Sequence, residues 1–395
     1  MTKKKIIIVN NNLNIGGVQK ALLSLLKEIE NEYDITLYLF NNFNKVQNHL
    51  IPKSVKVIEA KSFLKVLGEA QSNINKESKY LAFFRAIMVG WTKVFGNKIP
   101  FKILFFPEKR LKNFDIAISY LHVTNNKSFY GGCVEFVLEK IEATKKIGFI
   151  HCDFLNYGGN TSENRKLYCK LDGVATVSES CKKSFLQAIP SLNDRVYKVE
   201  NFHDYNSIQE LASNNPFEYE KSIFNIVTIS RLSSEKGLIR TLFVIKKIIE
   251  DGHLIMWNIV GDGSLKEEII EIINNYNLKD YIKIYGDTIN PYRYLPNADL
   301  FLLPSLHEAA PLVISEAMSL GVPVLATETL SAREIIAEYK QGFICENSEE
   351  GIYTKLKWLV DNPEYLNKSR IYLKENSQNN RNAREDIKRL LIDFA

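Results

Sequence analysis

Short apolar runs rich in β-branched residues alternate along this chain with longer stretches whose apolar positions recur every three to four residues. The first kind suits a strand buried on both faces and the second an amphipathic helix. In the first half, Ile6–Val9, Ile35–Leu39, Val55–Ile58, Ile116–Ser119, Lys146–Ile150 and Gly173–Val177 read as strands, with Val18–Glu30 and Ser180–Ala188 among the helices between them. In the second half the strands are Asn225–Ile229, Trp257–Val260, Ile282–Tyr285, Leu300–Leu303, Val322–Ala326 and Phe343–Cys345. Strands separated by helices pair in parallel, so the pattern predicts an α/β fold built from βαβ units, and it occurs twice.

Residues 207–220 are polar, contain Asn214-Asn215-Pro216 and show no apolar period. A linker is therefore expected at 207–222, between a first domain over 1–206 and a second over 223–376. Ser331 with Glu334, and Ser348 before Glu349-Glu350, read as helix starts. After a loop at 376–381, residues 383–394 read as a last amphipathic helix within a terminal segment, 377–395.

A length of 395 residues exceeds what one core holds and agrees with two. No run of about 18 uncharged apolar residues offers a membrane span. The basic start Met1–Lys5 is followed by an apolar run too short for a signal peptide, so a cytoplasmic protein is expected. Five cysteines without a CxxC pair argue for free thiols and against a disulfide framework or zinc site. A net charge of +5 does not by itself imply nucleic acid, and no nucleic-acid partner is expected. Its distribution is uneven: residues 61–112 hold eleven basic and three acidic side chains, a surplus of eight. Tyr80, Phe83, Phe84, Trp91 and Phe95 are interleaved with them, which suits an ordinary solvated hairpin and equally a face that docks on an anionic membrane surface.

The most informative stretch is Pro304-Ser-Leu-His-Glu308-Ala-Ala-Pro311-Leu-Val-Ile-Ser-Glu316-Ala-Met-Ser-Leu-Gly321. Pro311 suits the first turn of a helix and Gly321 its end. Glu308 then lies in the preceding loop and Glu316 roughly 7.5 Å further along the axis. Between them the N–H groups of Leu312 and Val313 and the positive end of the helix form an anion site. A second anion site is predicted in Ser230-Arg231-Leu-Ser-Ser-Glu235-Lys236-Gly237, after the first strand of this half, where Arg231 and Lys236 would offset a diphosphate's charge without a metal. No DxD is placed to hold one, so no metal or other cofactor is expected. Gly261-Asp-Gly263 lacks the third glycine of a dinucleotide fingerprint, leaving a tight turn or a ligand contact open.

With these residues in view, the second half resembles the donor domain of the retaining family 4 glycosyltransferases of GT-B fold, over roughly residues 225–345. The resemblance implies two Rossmann-like domains facing across a central cleft, with the last helix crossing back to the first, acceptor-side domain. It implies transfer of a sugar, with retention of configuration, from a nucleoside diphosphate sugar to a glycan or lipid-linked glycan acceptor in cell-surface polysaccharide synthesis. UDP is expected from family frequency alone. Arg231 and Lys236 match the family's diphosphate-binding pair, and Glu308 and Glu316 its E-x7-E pair. By that match Glu308 contacts the reacting sugar, Glu316 the ribose, and the backbone at Ala310, Leu312 and Val313 the sugar and phosphates; Gly261 is a further donor contact. In the first half, Gly16-Gly17-Val18-Gln19 resembles the family's glycine loop, and Ile150-His151 its active-site histidine region, which makes His151 a catalytic candidate beside Glu308.

Where many members have Glu-Gly-Phe-Pro, this chain has Glu308-Ala309-Ala310-Pro311, which keeps the backbone and removes an aromatic wall from the sugar pocket. Two rival readings are a catalytically silent GT-B-like subunit partnering an active enzyme and a nucleotide-sugar epimerase. The first is expected to have lost a charged donor contact, and all four are present; an oxidoreductase is disfavoured because both halves lack GxGxxG.

Overall fold

The computed structural model describes residues 3–43, 47–156, 159–339 and 342–393. The chain forms two compact units, residues 1–203 with 380–395, and residues 204–379.

The first unit holds a parallel sheet of β1 (Lys5–Asn10), β2 (Asp34–Leu39), β3 (Lys56–Glu59), β4 (Leu111–Ser119), β5 (Ile141–Ile150), β6 (Gly173–Thr176) and β7 (Val196–Lys198). Their spatial order is β3-β2-β1-β4-β5-β6-β7. Strand β1 shows why such a strand reads as a continuous apolar run. Ile6 and Ile8 pack with Leu22 and Leu26 in one layer, while Ile7 and Val9 pack with Phe105 and Phe136 in the other.

The second unit holds β8 (Phe224–Ile229), β9 (Ile255–Val260), β10 (Ile282–Ile284), β11 (Leu300–Leu303), β12 (Val324–Thr327) and β13 (Phe343–Cys345). All pair in parallel, in the order β10-β9-β8-β11-β12-β13. In both sheets the order reverses beside the first strand, between β1 and β4 and between β8 and β11. In open α/β sheets ligands bind at the carboxyl ends of the strands flanking such a reversal.

The expected linker at 207–222 is not one. Residues Tyr205–Ser213 form a helix of the second unit, started by Asp204 accepting from Ser207 N–H and burying Ile208 and Ala212 one turn apart. Beyond it, Phe217 and Tyr219 pack on Tyr294, and Tyr219 donates to the Tyr294 carbonyl at 2.8 Å. A nine-residue helix with two buried positions is too short to carry a visible period, and two aromatics anchor what otherwise reads as a polar loop. The chain instead passes between units at 203–204 and again at 379–380. Helix Arg381–Asp393 packs in the first unit, with Asn380 bonded to His203 and Arg384 paired with Glu28. Phe394, read as the end of this helix, lies outside the described residues. Strand β7 went unread because three residues show no alternation. Ser331 precedes a helix, Ala332–Tyr339, but its buried hydroxyl has no partner within the described residues and does not cap it. No helix among the described residues is long and apolar enough to cross a membrane.

Candidate functional site

Because β8 and β11 are paired, Ile226 against Leu300 and Val227 against Phe301, the loops that leave them emerge side by side. Leu306 N–H donates to the Glu235 carbonyl at 2.8 Å, stitching loop 304–311 to loop 230–237. Gly237 adopts φ +65°, and a Cβ there would sit 2.2 Å from the Pro304 carbonyl oxygen, so only glycine allows this approach. Arg240, in the first turn of the helix that follows, donates to the same carbonyl at 2.8 Å and also binds Asn347, which in turn donates to Leu306 O at 3.0 Å.

Within this frame lies an ion pair that neither loop forms alone. Lys236 Nζ meets Glu308 Oε1 at 2.5 Å, with side chains 16% and 12% exposed. Ser305, fully buried, donates its hydroxyl to the same Oε1 at 2.8 Å, and its carbonyl is held by the Thr327 hydroxyl at 2.5 Å. Glu308 Oε2 has no hydrogen bond within the described residues. Arg231 projects into solvent, 75% exposed, and reaches Glu235 at 3.3 Å. Both expected cations are thus paired with carboxylates, and the free positive potential at the site comes from the adjoining helix terminus.

That helix spans Leu312–Ser319, with Pro311 as the cap residue at φ −70°, ψ 109°, one position before the first turn where the sequence placed it. Its first N–H groups, on Leu312 and Val313, have no intrahelical acceptor, and Ala310 lies directly before the cap. Glu316 lies on the buried side of the helix, 4% exposed, and accepts a hydrogen bond from the Tyr292 hydroxyl at 3.0 Å. Burial, reinforced by the Glu316 charge, pushes the Tyr292 hydroxyl pKa far above its usual value, so it stays a donor at every accessible pH.

Gly261, at φ +138°, would place a Cβ 2.0 Å from Ser230 O, and Gly263 would place one 2.4 Å from Leu232 O. These glycines are required by the close packing of the β9 loop on the β8 loop, with or without a ligand. Ser230 Oγ, buried beside Gly261, has no partner within the described residues.

The other expected residues belong to the first unit. Gly16 caps the helix Gly17–Ile29 that follows β1, in extended backbone, and a Cβ there would meet Gln19 Oε1 at 2.6 Å. The loop before it is held by Asn12 donating to Gly68 O at 2.6 Å and Asn14 donating to Glu69 at 3.2 Å. His151 follows β5, its ring 4.7 Å from Tyr120 and 5.8 Å from Phe149, and its Nε2 has no partner within the described residues. Burial lowers its pKa to about 3, helped by His122 and opposed by a bond to the Tyr120 backbone, so the ring is neutral near pH 7.

Sequence reasoning missed Ser305, Tyr292 and Glu235. Ser305 had a local signal, three residues before Glu308; Tyr292 had none, because it reaches Glu316 across 24 positions.

Two parallel α/β sheets, the second carrying paired charged loops and a helix terminus at its carboxyl edge, have the architecture of the GT-B glycosyltransferases. The structure of Anabaena HepE in complex with UDP and glucose shares this fold, with a TM-score of 0.65 at 16% identity over 98% of this chain and 99% of that one. Residues 211–380 match the family described as glycosyl transferases group 1. An uncharacterized glycosyltransferase of Methanocaldococcus jannaschii is 32% identical over 66% of this chain and 71% of its own length. The amylovoran biosynthesis glycosyltransferase AmsD of Erwinia amylovora is 22% identical over 89% of this chain and 88% of its own. The chain belongs to the group 1 glycosyl transferases and is a glycosyltransferase.

Proposed function

We propose that this enzyme transfers a hexosyl group from a UDP-sugar to a glycan acceptor, with retention of configuration, in the synthesis of a cell-surface polysaccharide. The observation that carries the reading is the junction of Lys236, Glu308, Ser305 and the Leu312 helix terminus at the β8–β11 edge. A diphosphate at that terminus meets Leu312 and Val313 N–H, draws Lys236 toward it and is reached by the solvent-exposed Arg231. Glu308 Oε2 receives a sugar hydroxyl, and Glu316 receives the ribose. As the anomeric carbon–oxygen bond breaks, its electron pair passes to the diphosphate. The acceptor oxygen then bonds to the same face and its proton goes to a phosphate oxygen. His151 acts in its neutral form. Lys236, Arg231 and the helix terminus supply the positive charge, so we propose that no metal ion takes part.

The polysaccharide context is supported by the relative named for amylovoran biosynthesis. The basic, aromatic-rich segment 61–112 supports a lipid-linked acceptor met at the cytoplasmic face of a membrane. The test is to offer the purified chain UDP-, GDP- and ADP-sugars, following thermal shift and slow nucleotide release, and to read the anomeric configuration of the product by NMR. A preference for UDP-sugars and a retained anomer are expected; response to none of the three donors, or an inverted product, overturns the reading.

A further inference from the structure

Large exposed hydrophobic side chains number 21 among the described residues, and nine of them fall within residues 80–106. The segment forms two helices, Lys79–Phe95 and Lys98–Phe105. The first is well bounded: Ser78 accepts from Leu81 N–H, and Gly96 at φ +88° ends it. At roughly 100° per residue, Tyr80, Phe83, Ile87, Trp91, Val94 and Phe95 lie within an arc of about 120° on one side. Ala82 and Thr92 are buried on the opposite side. Arg85 lies on that inner side too, bonded to Gln71 at 2.8 Å and placed over the Phe129 ring. Ile99 and Ile103 on the second helix and Phe106 directly after it are exposed as well, whereas Phe101, Leu104 and Phe105 are buried. A globular helix normally turns such a stripe inward, whereas this one turns a second apolar stripe to solvent.

The charge around it is not neutralised. Lys79, Lys93, Lys98 and Lys102 are exposed and make no ion pair within the described residues. A second copy of this chain is a poor occupant, because self-association through this face would bring like charges together. An anionic bilayer satisfies both features: aromatic and aliphatic side chains enter the headgroup boundary while lysines meet lipid phosphates.

We propose that helix 79–95, extended by helix 98–105, is an in-plane membrane anchor whose Tyr80–Trp91 stripe inserts into an anionic leaflet. The proposal rests on the reading of a lipid-linked acceptor, which it makes specific. Of the three tryptophans, Trp257 is fully buried and Trp358 packs against Tyr365 and Phe343, so Trp91 is the natural reporter of insertion. The full chain is mixed with vesicles of equal parts phosphatidylcholine and phosphatidylglycerol, and with phosphatidylcholine alone. Sedimentation with the mixed vesicles only, release by salt, and a blue shift of emission that is absent in Trp91→Phe are expected. Phe83→Glu with Ile87→Glu, and separately Lys93→Glu with Lys98→Glu, are expected to weaken vesicle binding at least about tenfold while nucleotide release from the sugar donor persists. The proposal is overturned by failure to bind the mixed vesicles at low salt, by binding unchanged in both double variants, or by a lipid-independent, concentration-dependent blue shift, which would mark a protein contact. Vesicle binding by a chain that turns over no nucleotide sugar would instead sink the donor reading and leave the anchor standing.

Discussion

Lys236 and Glu308, 72 residues apart in sequence, form one ion pair at 2.5 Å, and Ser305 donates to the same carboxylate oxygen. Before any donor arrives, the cation assigned to the diphosphate is therefore engaged with the carboxylate assigned to the sugar. Binding must exchange one partner for another, and a lysine, with a compact charge on a flexible stem, suits that exchange better than a fixed fork.

Lys236→Ala is expected to lower kcat/KM by about two orders of magnitude, the scale of one lost transition-state charge contact. It also leaves the Glu308 carboxylate mostly buried without its counter-charge, so the melting temperature should fall. Arg231→Ala removes an exposed, loosely paired group and should lower the rate with little change in melting temperature. Steady-state kinetics with thermal melts checks both; near-normal rates in the two variants would remove the diphosphate assignment.

Ser305 is expected to act through Glu308. A hydrogen bond to a charged group contributes about 1.5–3 kcal/mol, so Ser305→Ala should lower kcat about tenfold or more with a smaller change in donor KM. In a Glu308→Ala background the same substitution should change nothing further, because its partner is gone. Equal losses in both backgrounds would make Ser305 a packing residue only.

Glu316→Gln should weaken donor binding more than turnover, and Glu308→Gln the reverse, since the first is assigned to the ribose and the second to the reacting sugar. Tyr292→Phe should follow Glu316 in raising donor KM by its effect on carboxylate orientation. Measuring KM and kcat separately decides it; a Tyr292→Phe variant that loses kcat alone contradicts the assignment.

With a pKa of about 3, lowered chiefly by burial, His151 is uncharged throughout the working range. Its folded pKa lies below the unfolded value of about 6.5, so the fold is penalised progressively as pH falls from there toward 3. His151→Gln should lower activity at pH 7 without altering the shape of the pH–rate profile between pH 6 and 8, and should lessen the loss of melting temperature below pH 6. Disappearance of an acidic limb near pH 6.5 in the variant would show a titrating imidazole instead.

Glu135 has the opposite sign. Burial raises its carboxyl pKa to about 7, above the usual value, so the proton is held more tightly in the fold. Stability from this group is full below about pH 4.5 and is lost as pH rises through 7. Glu135→Gln should therefore raise the melting temperature at pH 8 more than at pH 5.

The apolar alternation determined by itself that the chain would build two parallel sheets, because a strand buried on both faces admits almost no polar residue. Ile6–Val9 and Leu300–Leu303 declare themselves without reference to any neighbour. The Glu308–Glu316 spacing, with Pro311 between the two and Gly321 beyond them, equally announced a loop and helix terminus, since capping is local chemistry. What the tertiary structure decided was every relationship across distance. The pairing of β8 with β11 sets Lys236 on Glu308, and Tyr292 reaches Glu316 from a separate turn. The polar 207–222 segment is pinned by Phe217 and Tyr219, and of the aromatics in 80–95, Tyr80, Phe83, Trp91 and Phe95 face solvent while Phe84 packs inward. Periodicity records how a residue sits relative to its own element; which element lies opposite it depends on strand order and packing, which no local pattern encodes.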